Sequence, residues 1–288
     1  MNITKAYNRF KSSETIFRCS ICDSQMEFRN ENSLVCLQNH CFDLSKHGYV
    51  NFVPNQNKVK YTKSLFENRR SIFQSGFYDP LIKSIEHSIN KYFNTPSHTS
   101  VLDVGCGEGF FISKLFGNNK QAGDVFAMDI CKDAIVLAAK GNNDIKWIVS
   151  DLSNIPLKSN SIDLILNIFT PANYSEFSRI MSDNGFLIKV VPGKYYLKEI
   201  RECAKEQLIN QDYSNEQVLQ VFQNNMVCLD KENLFYQLPV TKSDFENFLK
   251  MTPMMFNIDT DKIKFHDIKQ ITIDVEIVIG QKSITPQA

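Results

Sequence analysis

The 288-residue chain has no apolar run long enough to span a bilayer, so a membrane-spanning helix is not expected. Its first residues, MNITKAYNRFKSSETIF, lack the apolar stretch and small-residue cleavage site of a secretory leader, and a cytoplasmic location is the expectation. There is no net charge, 32 Lys and Arg offsetting 32 Asp and Glu, so no gross excess of positive charge draws the chain to nucleic acid. Internal repeats and low-complexity segments are also missing, which points to a globular fold. Cysteine is sparse at eight residues, and a reducing compartment disfavours structural disulfides among them.

What is there is unevenly distributed. Hydrophobic content of 43% and charged content of 22% are ordinary for a globular protein, and the length allows a full core plus a small accessory module. Residues 1–100 hold 13 Lys and Arg against 8 Asp and Glu, and the remainder hold 19 against 24. A mildly basic first third on a mildly acidic body can orient a phosphate backbone, and scattered solvated charge explains it equally well.

Three regions separate by texture. Residues 1–54 contain a Cys/His cluster and end in GYVNFVP. Residues 55–99 open as a polar, basic linker (NQNKVKYTK) and turn helical through SLFENRRSIFQSGFYDPLIKSIEHSINKYF. From Ser100 short apolar runs alternate with amphipathic stretches: SVLDVG, DVFAMDI, IKWIVSD, SIDLILNIF and GFLIKVVP read as strands, and EGFFISKLF, KDAIVLAAK and NYSEFSRIM as helices. Such alternation implies βαβ units and a mostly parallel sheet, an α/β fold with helices on both faces. Beyond Pro192 the chain is expected to be mostly helical, with strands at ENLFYQLP and KQITIDVEIVIGQ and a helix at KSDFENFLKM.

The sharpest motif of the third region is VLDVGCGEG, residues 101–109. Gly105 and Gly107 permit a tight turn and close approach to a ligand, and Gly109 opens the next helix. The spacing is G-x-G-x-G rather than the G-x-G-x-x-G of dinucleotide-binding loops, which disfavours a dehydrogenase. Asp129 ends the second strand, placed to accept from both ribose hydroxyls of an adenosine, and Asp151 and Leu152 end the third, at the adenine edge. These residues, with Asp103, resemble the first motif and the two nucleoside acids of class I S-adenosylmethionine-dependent methyltransferases. The resemblance covers residues 100–191 and implies a Rossmann-like, mostly parallel seven-stranded sheet.

In the first region Cys19-x2-Cys22 and Cys36-x3-His40 form two knuckles with the spacing of tetrahedral zinc ligands. Cys36-x4-Cys41 is a rival second knuckle and His47 a further spare. A closed structural zinc site fits this arrangement, and nothing nearby supports a thiol nucleophile.

The zinc-type segment followed by FDLSKHGYVNFVP, RRSIFQSGFYDPL and VLDVGCGEG, then by FTPAN, VVPGKYYLKEI and KMTPMMF, resembles the large-subunit ribosomal RNA guanine-N1 methyltransferase family, including its macrolide-resistance relatives. The resemblance implies structural zinc on Cys19, Cys22, Cys36 and His40, leaving Cys41 out. It also implies that Tyr78 and the Gly107–Glu108 turn contact S-adenosylmethionine. Tyr196 stands before Leu197 where many relatives place a histidine against the cofactor. Asn167, Thr170 and Pro171, after the fourth strand, are the expected holders of a flipped guanine, and Arg18, Arg29 and Lys46 the expected grip on a 23S rRNA hairpin. No residue is assigned as general base, and a homodimer is compatible with the resemblance. Two other readings remain open: a small-molecule methyltransferase, and a non-catalytic protein that binds zinc, cofactor and RNA.

Overall fold

Helix α1 (Ile3–Lys11) buries Ala6 and Phe10 and leads through one 3-10 turn, Glu14–Ile16, into the Cys/His segment. Strands β1 (Met26–Arg29), β2 (Ser33–Cys36) and β3 (Cys41–Asp43) then form a small antiparallel sheet in the order β1-β2-β3. The computed structural model describes residues 3–53, 63–92, 99–117, 123–142, 144–207, 214–256, 258–259, 263 and 268–282. The polar stretch 55–62, expected as a linker, lies outside the described residues.

The remaining elements are β4 (Tyr49–Asn51), α2 (Lys63–Gln74), α3 (Asp79–Tyr92), β5 (Val101–Val104), α4 (Phe110–Phe116), β6 (Val125–Asp129), α5 (Lys132–Gly141), β7 (Lys146–Val149) and β8 (Ile162–Ile168). They continue with α6 (Tyr174–Ile180), β9 (Met181–Pro192), α7 (Lys198–Ala204), α8 (Glu216–Asn225), β10 (Met226–Pro239), α9 (Lys242–Met251) and β11 (Gln270–Lys282). One sheet gathers eight strands in the order β10-β11-β9-β8-β5-β6-β7-β4. All neighbours are parallel except the two pairs that β11 makes, with β9 and β10. Seven strands match the expectation. The eighth is β4, which leaves the Cys/His segment and extends the edge beside β7.

The central strands have helices on both faces, so they are buried along their whole length and mostly apolar. Every residue of β5 and of β7 is buried, including Lys146, whose ammonium meets Asp124 at 2.8 Å. One face carries a core built with α3, α4, α5 and α9. The core of the other face is continuous with the Cys/His segment: Phe10, Phe17, Leu34 and Phe42 join Phe126, Ile148 and Phe177. Phe17 stands edge-on to Phe126 at 5.7 Å between centroids. The small sheet is thus fastened to the large one by shared aromatic packing as well as by β4.

Sequence order along the sheet reverses between β5 and β8, and the strand ends diverge there into a crevice. Gly109 turns the chain from β5 into α4 with φ of 76°, and a Cβ on it would overlap the Trp147 ring, so only glycine serves. At the other ends of the fold, α9 starts from a complete capping box between Thr241 and Asp244, and Asn173 caps α6 through the Glu176 N–H. The α6 cap fixes where the chain leaves β8, on the rim of the crevice.

Candidate active site and metal centre

The crevice is a cavity of about 500 Å³, a size typical for small-molecule ligands. Asp103, Gly105, Gly107, Glu108, Asp129, Asp151, Leu152 and Tyr196 line it, and so do Thr170 and Pro171. Gly105 has φ of 71°, and a Cβ there would overlap the Thr170 side chain, so glycine lets the β5 loop and the β8 loop close on each other.

Asp129 holds the loop from the neighbouring strand. Its Oδ2 accepts from the Gly107 N–H at 2.9 Å and its Oδ1 from the Cys131 N–H at 2.7 Å. A carboxylate oxygen has lone pairs to spare, so these bonds orient the group without exhausting it. Asp151 is fixed through Oδ1 by the Ser153 N–H at 2.7 Å and hydroxyl at 2.8 Å.

Acidic side chains gather here, and burial disfavours their charged forms. Burial, with Asp129 and Glu108 nearby, pushes the Asp103 carboxyl up to about 8. Glu108 is pushed up to about 7 by burial, a shift the Arg69 guanidinium opposes, and Asp129 is raised by burial. Among the described residues, both carboxyl oxygens of Glu108 are buried without a hydrogen-bond partner. A site with orphaned acids wants a ligand that brings donors and positive charge. S-adenosylmethionine fits, because it carries an ammonium, a sulfonium and ribose hydroxyls.

Two expected residues stand behind the wall instead of in it. Tyr78 is fully buried and does not line the cavity; its hydroxyl meets that of Tyr196 at 2.5 Å. Asn167 is also fully buried and outside the cavity lining. Its Oδ1 accepts from Lys189 Nζ at 2.5 Å, and its Nδ2 donates to the Pro171 carbonyl at 2.9 Å. Asn167 therefore braces the loop that carries Thr170 and Pro171.

Sequence reasoning passed over several wall residues. Phe66 and Arg69 from α2, Thr252 and Pro253 after α9, and Phe169 all reach the cavity, α2 packing against α9. The family-like strings RRSIF and KMTPMMF thus both contribute to the crevice wall, through Arg69 and Phe73 and through Met251, Thr252 and Pro253. Phe169 has φ of 55°, rare for a side chain of its size, and turns its ring toward Tyr196 at 5.4 Å.

The second cluster unites Cys19, Cys22, Cys36 and His40, whose ligand atoms all lie within 4.8 Å of one another. Cys22 and Cys36 sulfurs are 3.7 Å apart, and His40 Nδ1 is 3.5 Å from Cys19 Sγ and 3.4 Å from Cys36 Sγ. Zinc–sulfur bonds of about 2.3 Å in a tetrahedron put sulfurs roughly 3.8 Å apart, close to the separations seen here, so the four atoms fit a tetrahedral zinc site. Cys41 is exposed and its sulfur turns to Asp43. His47 does not belong to the cluster.

Of the expected RNA-facing cations, Arg29 and Lys46 are exposed. Arg29 bonds Glu27 and Asn39 at 3.1 Å each. Arg18 is mostly buried: it pairs with Asp23, lies 3.6 Å from Glu176, and donates to the Ile155 carbonyl and Asn154. It ties the Cys/His segment to the large sheet's loops.

Comparison with known proteins agrees with both clusters. The zinc-ribbon family described as RlmA, N-terminal, matches residues 17–60, and a methyltransferase domain family matches residues 102–188. A Bacillus subtilis (strain 168) protein with the provisional name 23S rRNA (guanine-N(1)-)-methyltransferase YxjB is 36% identical over 275 residues, spanning 93% of this chain and 98% of that protein. The chain belongs to the 23S rRNA (guanine-N1)-methyltransferase family. The family's 23S rRNA (guanine(748)-N(1))-methyltransferase from Streptomyces fradiae is 23% identical over 269 residues, 91% of this chain and 95% of that one. Family membership gives the fused zinc ribbon and S-adenosylmethionine-dependent methyltransferase fold one common context. Among the described residues, no helix is long and apolar enough to cross a membrane.

Proposed function

We propose that this protein methylates N1 of a guanine in a hairpin loop of 23S rRNA, using S-adenosylmethionine. The observation that carries the reading is the acid-lined crevice, with Glu108 left without partners, on a chain that shares nearly its whole length with a guanine-N1 methyltransferase relative. Asp129 would hold the ribose hydroxyls, Asp151 and Leu152 the adenine side, and Asp103 and the Gly105–Glu108 turn the amino-acid end. Tyr196, backed by Tyr78, would close the far wall with Phe169. Thr170 and Pro171 would meet the acceptor base at the cavity rim. When bound, the cofactor supplies an activated methyl group, and no metal is needed at the reacting atoms. This chain's residues contribute position: well-oriented reactants gain about 7–11 kcal/mol of barrier lowering.

A hairpin-loop guanine is already partly unstacked, so drawing it into a site costs less than from a duplex. In this reading Cys19, Cys22, Cys36 and His40 hold structural zinc, and residues 1–54 form a recognition module that presents Arg29 and Lys46 to the hairpin. Residues 55–99 connect that module to the methyltransferase domain at 100–288, and Arg18 keeps the module in register with it. A cytoplasmic site of action and assembly as a homodimer belong to the same proposal.

Primer extension on 23S rRNA from cells with and without the gene tests it. A methyl-dependent stop at a hairpin guanine is expected only with the gene present, and its absence rejects the rRNA reading. Calorimetric titration with S-adenosylmethionine checks the cofactor separately.

A further inference from the structure

A second cavity, of about 510 Å³, adjoins the cofactor crevice at the loop after β8. It shares Phe169, Thr170, Pro171 and Pro192 with the cofactor crevice, so this one loop borders both spaces. Two polar groups on its walls are nearly fully buried. Tyr174, 8% exposed, has a hydroxyl without a hydrogen-bond partner among the described residues. Lys189, 2% exposed in the middle of β9, forms no ion pair among the described residues. Its Nζ meets only neutral acceptors, Asn167 Oδ1 at 2.5 Å and the Thr170 carbonyl at 3.3 Å, which leaves a third N–H for a ligand. The outer wall is apolar: Val218 and Val221 of α8 are 41% and 48% exposed beside it.

A buried lysine without a carboxylate costs stability, and burial lowers Lys189 to about 8. The left-handed Phe169 between the two cavities is a second cost placed at the same spot. Apolar walls with a cation and an unpaired hydroxyl suit a flat heterocycle bearing a carbonyl oxygen. Guanine presents O6 and N7 as acceptors, while adenine puts an amino donor at the same edge.

We propose that this second cavity receives the acceptor guanine, with Lys189 donating to O6 and Tyr174 taking a second polar contact. The inference rests on the guanine-methyltransferase reading and adds to it the pocket and the group that selects guanine. In the reaction the N1–H bond breaks and its proton leaves to solvent water. The N1 electron pair forms the bond to the methyl carbon, and the electrons of the broken carbon–sulfur bond remain on sulfur. As N1 gives up its proton, negative charge spreads to O6, where the buried Lys189 ammonium stabilises it. Lys189 would thus touch the substrate and act in the chemical step, while Asn167 positions it.

The test uses the full-length, zinc-loaded protein, S-adenosylmethionine and hairpin RNAs carrying guanine or adenine at the methylated position. Lys189→Met should slow single-turnover methylation of the guanine hairpin by about 10- to 100-fold and narrow the preference for guanine over adenine. Cofactor affinity should stay within twofold, and Lys189→Arg should restore part of the rate and of the discrimination. Val221→Trp, on the exposed face of α8, fills the pocket without touching the buried network, and should block methylation while cofactor binding persists. Val221→Trp also decides the matter if Lys189→Met does not fold. Wild-type rate and discrimination in both variants would overturn the pocket while the parent reading stands. A wild-type protein that methylates no guanine overturns both. Slower turnover in Lys189→Met with unchanged discrimination would reduce Lys189 to a brace for the loop and overturn its contact with O6.

Discussion

Replacing Glu108 by Gln should make the cofactor-free protein more stable and a poorer binder. The carboxyl is 6% exposed, neither oxygen has a hydrogen-bond partner among the described residues, and burial pushes it up to about 7 from the usual glutamate value of about 4.5. The folded state therefore binds a proton more tightly than the unfolded state. Stability contributed by that proton is full below the unfolded value and is lost as pH rises through about 7. A shift of this size corresponds to roughly 3 kcal/mol once the folded carboxyl is ionised, at about 1.4 kcal/mol per pH unit. Glutamine stays neutral, keeps the shape and leaves no more polar atoms unpaired than the protonated acid does. At pH 8.5 the variant should be more stable by up to roughly 3 kcal/mol, about 5–10 °C in melting temperature for a chain of this size. At pH 5 the two proteins should melt together. Thermal and urea unfolding between pH 5 and 9 reads this directly, and titration of S-adenosylmethionine at pH 8 should show weaker binding by the variant. Parallel stability–pH curves for the two proteins would refute the burial argument, since the slope is what the substitution removes.

Gly105→Ala should cost about 1–3 kcal/mol of stability and sharply reduce cofactor affinity, because the new Cβ overlaps Thr170 at a left-handed backbone position; unfolding curves and calorimetry measure both. Chelation of zinc, or His40→Ala, should lower the melting temperature of the whole protein, because Cys19 and Cys36 sit in the core that includes Phe126; Cys41→Ser should leave one zinc per chain by atomic absorption. Arg18→Ala should destabilise the fold by breaking its bonds to Ile155 and Asn154 and its approach to Glu176, whereas Arg29→Ala and Lys46→Ala should leave the melting temperature unchanged. The latter pair should weaken hairpin binding and flatten its salt dependence in filter-binding assays.

The central strands were legible because burial on both faces writes mostly apolar runs into the chain: VLDV and KWIV, each with one charged residue, stand out without any knowledge of neighbours. The glycine loop and the acids at strand ends were legible for a similar reason, since each motif is short and its geometry is set by backbone conformation. Strand β4 was not. GYVNFVP is brief and sits among zinc-type knuckles, and only its pairing with β7, almost 100 residues away, makes it the sheet's eighth strand. Tyr78 and Asn167 were expected to touch ligand, and both stand behind residues that line the crevice. Which way each side chain points depends on Tyr196 and Lys189, residues 118 and 22 positions away.

By itself the sequence determined the mostly parallel α/β sheet, the glycine turn, the acids at the strand ends and a Cys/His cluster of zinc-type spacing, because local spacing fixes these; it left Cys41 and His47 as rival ligands, and the fold set them outside the cluster. Tertiary structure alone decided that Arg18 is a strut, that α2 and α9 cover the crevice, and that Lys189 and Tyr174 face a second cavity beside it. Those outcomes depend on which distant segments meet, and the free energy of meeting is spread over many apolar contacts that no short motif records.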